Sequence, residues 1–200
     1  SVGPNVAVGD QALVYRTMGA ANVAMGFGAL GGSGSGAMVG VTTANCNVAI
    51  GAYAAMCIDN GDANIAIGNA ALCGMNDGQG NVAIGDNALQ YLKFGGSSDE
   101  DNIGIGDHVG AALTTGVYNV FLGSIAAYNK TSGTGNIAIG RQVCLPTATG
   151  NTELVIGYGS NYWLRGDASF NICTQANMCA TAFYGSGANL TNLPAAGFAP

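Results

Sequence analysis

The chain has 200 residues, 34 of them Gly, only 8% of them charged, and a net charge of −6. Five Lys and Arg residues are too few to form the cationic cluster that nucleic acid demands. Mean hydropathy is +0.30, yet Gly, Asn, Ser or Thr interrupts every apolar run short of the length of a transmembrane helix, and the glycines lack the three-residue period of collagen.

The chain opens on Ser1, just ahead of a recurring phrase, with no signal peptide, and reads as a fragment or a processed product. The first predicted strand lies in NVAVG from Asn5. Versions of it return as NVAMG at Asn22, NVAIG at Asn47, NIAIG at Asn64, NVAIG at Asn81, NIGIG at Asn102, NVFLG at Asn119, NIAIG at Asn136 and ELVIG at Glu153. Measured between the closing glycines, Gly9 to Gly157, six of the eight steps are 17 residues; the other two are 25 and 21. A fixed period of this kind marks a solenoid, in which each unit buries its apolar face only by stacking on its neighbours. The two longer steps are loop insertions, 31–43 around GGSGSGAMVG and 93–101 in KFGGSSDED.

Within each phrase large apolar residues alternate with a small one, the period of a strand. The large columns are expected to face the core: Val48, Ile50, Ile65, Ile67, Val82, Ile84, Ile137 and Ile139. A second short strand after each Gly supplies Leu from the other side. The small column then faces outward, through Ala24, Ala49, Ala66, Ala83, Phe121 and Ala138. A long, smooth, uncharged stripe is uncommon on a monomer, so this column is expected to form a homotrimer interface; the alternative is a merely small surface residue. Stacked Asn residues should form a ladder of amide hydrogen bonds. Gly at the turn admits backbone angles closed to other residues. The expected fold is therefore all-β: a parallel β-roll, or β-solenoid, of nine 17-residue coils over residues 1–157. Residues 158–200 lose the period, carry Tyr158, Tyr162, Trp163, Phe170, Phe183 and Tyr184, and read as a β-rich neck or cap followed by a Gly/Pro-rich link.

Few residues offer chemistry. His108 is the single histidine, and Glu100 and Glu153 are the only two glutamates. A nucleophilic triad needs a histidine held by a partner, and GDHVG reads instead as a surface turn. Glycoside cleavage needs paired carboxylates; the one dense acidic patch, Asp99-Glu100-Asp101, lies in an insertion and reads as a solvated loop without calcium-loop spacing. The six cysteines form no CxxC, so no zinc site is expected. Most read as small buried apolar residues in a reducing compartment. Arg165-Gly166-Asp167 and the sequons at Asn129 and Asn189 read as chance matches. No enzyme activity, metal or cofactor is expected.

The phrase N-[VI]-A-[IV]-G followed by x-x-A-L resembles the head repeat of trimeric autotransporter adhesins, and equally repeats of bacteriophage tail fibres. The resemblance covers Asn5 to Gly157 and implies a left-handed parallel β-roll with three chains side by side. Bulky Phe121 and Val155 depart from it in the small column. FYGSGANLTNLP, Phe183 to Pro194, resembles phrases of phage structural proteins. Together they imply a non-enzymatic structural segment of a virion fibre. Its partners would be its own copies, other virion proteins and a host-surface glycan or protein, with no nucleic acid and no membrane insertion. The alternative is a bacterial surface adhesin head. The insertions are expected to project sideways, the second offering the contact loop: Tyr91, Phe94, Asp99, Glu100 and Asp101.

Overall fold

A computed structural model describes residues 3–14, 19–31, 43–93 and 100–175 of the chain. Among them there is no helix, and all strands join one sheet in sequence order. The strands are β1 (Val6–Val8), β2 (Val23–Met25), β3 (Val48–Ile50), β4 (Ile65–Ile67), β5 (Val82–Ile84), β6 (Ile103–Ile105), β7 (Val120–Leu122), β8 (Ile137–Ile139), β9 (Leu154–Tyr158), β10 (Asn161–Gly166) and β11 (Ile172–Cys173). From β1 to β9 each pairs in parallel with the next, and the columns read from sequence are the pairs observed: Val48 beside Ile65, Ala49 beside Ala66, Ile50 beside Ile67. This is the expected β-solenoid. The 25- and 21-residue steps keep the same register on either side, so both insertions leave the ladder intact. The parallel ladder ends at β9, where β10 turns back antiparallel with a bulge at Trp163, and β11 pairs antiparallel with β10.

The two faces of the strand are the reverse of the expectation. Ala24, Ala49, Ala66, Ala83, Phe121 and Ala138 are fully buried inside the coil of a single chain; they cannot line a trimer interface. Ile50 and Ile137 are exposed, and Val48, Ile65, Ile67, Val82, Ile84 and Ile139 are half-buried on the outer face; they are not the core. Alternation fixes that two sets face opposite ways, and a one-residue change of assignment exchanges them all. What decides the sense is the opposite wall. Leu30, Leu72 and Leu89, four residues past the turn glycine, point inward and are fully buried, as are Ile58, Met75, Leu92 and Leu113 further round the coil. Those side chains already fill much of the interior, and Ala fits across from them.

The second element is not a strand. After each turn glycine the chain makes consecutive turns, with positive φ at alternate residues: Asn87 at 52° and Leu89 at 48°, Ala70 at 53° and Leu72 at 52°. Leucine in the left-handed region is costly in isolation. Here the strain is offset by placing Leu in the core and by bonding coil to coil, as when Leu72 N donates to Ala88 O.

Two columns lock the register. Each Asn bonds to the Asn of the preceding coil, as Asn64 Nδ2 and Asn64 N both donate to Asn47 Oδ1, while Asn64 Nδ2 also donates to Gly78 O. The ladder runs in this way from Asn5 to Asn136, and Glu153 N closes it on Asn136 Oδ1. These buried amides are thus satisfied on both sides, which removes the penalty for burying them. The turn glycines stack likewise: Gly85 has φ +133°, and a Cβ there would strike the backbone of Gly106. Both the angle and the stacking exclude a side chain.

The core tolerates irregularity where sizes compensate. Gly104 replaces Ala and Gly110 replaces Leu in one coil. A Cβ on Gly110 would come 2.8 Å from the ring of Phe121, the bulky residue of the next coil's small column. Phe121 therefore packs into the volume that Gly110 leaves free, while the Leu89 side chain closes over Gly104.

Candidate functional site

The strand wall presents two apolar columns to the outside along its whole length. Val6 and Val8 are about half exposed, and Met25, Ile50, Ile105 and Ile137 are 36–40% exposed. The remaining Val, Ile and Leu of these columns are mostly half-buried between their stacked neighbours. Two side chains from each of nine strands, without one charged residue, form a continuous hydrophobic face. It exists because the period-two pattern places branched residues on the side that the Leu wall does not cover. Water is a poor neighbour for so long an apolar surface.

The expected contact loop is only partly available. Tyr91 is 54% exposed and Asp101 is exposed, whereas Phe94 and Asp99 lie outside the described residues. Glu100 is a correction: it is fully buried and accepts a 3.0 Å hydrogen bond from Asn81 Nδ2. The reason lies in the ladder. In regular coils the Asn side chain donates to a carbonyl 14 residues on, as Asn64 does to Gly78 O and Asn102 to Gly116 O. At the second insertion the Glu100 carboxylate takes the place of that carbonyl. The first insertion, apart from Gly31 and Thr43, also lies outside the described residues, as does the Phe183–Pro194 phrase.

A second buried charge sits at the end of the ladder. Glu153, which replaces Asn in the last phrase, meets Lys130 Nζ at 2.8 Å. Lys130 is fully buried at the position where other coils carry Ile58, Met75, Leu92 or Leu113, and it also donates to the carbonyls of Thr147 and Gly150. The sequence reading missed this pair. Its signal was a Lys in an apolar column and a Glu in an Asn column, 23 residues apart.

The turn wall carries the polar surface. Asp86 and Asp107 each follow a turn glycine and so stack on consecutive coils, and with His108 their ligating atoms lie within 4.8 Å of one another. His108 is exposed, as expected, with Nδ1 2.8 Å from Asp107 Oδ1 and Nε2 3.4 Å from Asn87 Nδ2. Asn69 Nδ2 and Asn87 Nδ2 donate to Asp86.

The cysteines depart from expectation. Cys46, Cys57, Cys73, Cys144 and Cys173 are free, and none is fully buried: Cys46 and Cys173 are exposed, the others half-buried. Burial, then the nearby Cys73, pushes the Cys57 thiol up from its ordinary value, and burial likewise raises Cys73. Asp167 of the Arg-Gly-Asp triplet accepts hydrogen bonds from the Asn171 side-chain amide and from Asn171 N and Ser169 N, and these, the Asn171 amide first, hold its carboxyl below the usual range. That is turn chemistry. The Asn129 side chain bonds both ways to the Leu145 backbone, so this sequon is part of the stacking.

The fold defines a parallel β-solenoid with one extended apolar face. Comparison with known proteins finds no matching family model, no matching curated protein and no matching solved structure. No helix among the described residues is long and apolar enough to cross a membrane.

Proposed function

We propose that the chain is a non-enzymatic structural segment of a virion fibre, assembled as a parallel homotrimer about the outer Val/Ile face. The observation that carries this reading is that face. Two columns of branched apolar residues run uninterrupted from β1 to β9, and their one natural cover is a surface of the same length and period. A second and third copy of the chain supply it. On this reading the interface consists of Val, Ile, Leu and Met, and the Ala column belongs to the interior. Burying this much apolar area at roughly 25 cal/mol per Å² would stabilise an assembly strongly.

Several further features support a structural role. The repeat builds length, at about 4.8 Å per coil. The buried polar side chains serve the ladder. The free thiols suit assembly in a reducing compartment. Contacts with other virion proteins and with a host-surface glycan or protein would fall on the turn wall and the insertions, because loops on one side of a solenoid carry its variation.

Antibodies raised against the rod, imaged by electron microscopy on purified particles and on the producing cells, test the assignment. Label along particle appendages is expected. Label confined to the cell surface would replace it with the bacterial adhesin reading.

A further inference from the structure

On the turn wall, away from the apolar face, an open slot of about 500 Å³ is lined by Tyr91, Ala111, Ala112, Ile125 and Tyr128, with Asp107 and His108 completing the lining. Its construction follows from the stacking. Tyr91 belongs to the coil of β5 and Tyr128 to that of β7, and both are exposed, at 54% and 44%. In the coil between them Ala112 stands in the column of Tyr91 and Ala111 in that of Tyr128, so the two tyrosines are in neighbouring columns with small side chains between. An aromatic face attracts a cation within ~6 Å of its centre, and both tyrosines line the slot.

The lining polar groups set the charge. Asp107 lies in the slot lining with Asp86 directly beneath it in the ladder, two carboxylates one coil apart. Like charges stacked at this spacing repel. Their partners are the neutral amides of Asn69 and Asn87 and the imidazole of His108. Among the described residues no Lys or Arg reaches either carboxylate. The slot is therefore largely apolar, with two tyrosines in its lining and negative charge at its edge.

We infer that this slot binds a quaternary ammonium group of the choline type. Methyl groups on nitrogen suit the Tyr and Ala lining, because they leave no N–H donor without a partner. The delocalised positive charge suits the two rings and the adjacent carboxylates. A neutral ligand of the same shape would gain the contacts and lose the charge. A primary ammonium would favour the carboxylates over the slot. The site is complete within one chain and does not depend on the fibre assignment.

The test is a titration of the whole protein with choline, followed by calorimetry and by the imidazole resonances of His108. The neutral carbon isostere, 3,3-dimethylbutanol, butylammonium and zinc are titrated alongside. Choline is expected to bind about tenfold more tightly than the isostere. Tyr128→Ala and Asp107→Asn should each weaken it severalfold with an unchanged far-ultraviolet spectrum. Equal binding of the isostere, tighter binding of butylammonium, or no choline binding would each overturn the inference. A zinc response at His108 without a choline response would overturn it in favour of a metal site at Asp86, Asp107 and His108.

Discussion

At the scale of the residue, the small column sets how close the two walls of a coil can come. Ala66 is fully buried between stacked Ala49 and Ala83, facing a wall filled by Leu72 and Leu89. Ala66→Leu should therefore destabilise the chain by about 1–3 kcal/mol through overpacking. Leu72→Ala should cost about 2–5 kcal/mol by opening a cavity. Denaturant titration reads both, and an Ala66→Leu protein as stable as the parent would return the Ala column to the surface. The Phe121 neighbourhood offers a compensated version. Phe121→Ala should cost about 3–5 kcal/mol, and adding Gly110→Leu should recover part of that loss. It restores the inward Leu of the regular coil beside the cavity that Phe121 had filled. If the second change only adds to the damage, Phe121 does not occupy the space left by Gly110.

At the scale of the element, one strand and one run of turns make each coil, and the ladders that join coils are the most specific part of the design. The Asn ladder ends at Glu153, where the Lys130 pair substitutes for an amide. Glu153→Gln leaves the Lys130 charge buried without its counterion and should cost about 3–5 kcal/mol. The double change Lys130→Leu with Glu153→Asn restores the residues of the regular coil and should be neutral or stabilising. Thermal unfolding of the three proteins decides this. A double variant no better than the single one would show that the pair does more than stand in for the standard columns.

The strands, their parallel order, their register and the Asn and Gly columns were legible from the period, because residues that stack must be compatible at each level. The sense of the strand faces was not. It depends on how much volume the opposite wall brings, and a single strand does not carry that information. The turn run is hidden in the sequence for a related reason. Ala-Leu pairs look extended by composition, but positive φ at Leu30, Leu72 and Leu89 appears only once stacking stabilises it. Glu100 was read as a solvated acid because it stands in an insertion. What drew it inward was an amide at Asn81 whose regular acceptor the insertion had displaced.

At the scale of the whole molecule, the outer Val/Ile face is the feature a single chain leaves uncovered, and the account turns on what covers it. Ile67→Asp places a charge in the middle of that face while leaving the interior of the coil intact. It should break the assembly while the isolated chain keeps its strand signal by circular dichroism. Native mass measurement of the unmodified protein is the most direct test of the central claim. The account predicts a species of three times the 19.8 kDa chain mass, stable on dilution. A folded monomer that persists at high concentration would contradict it.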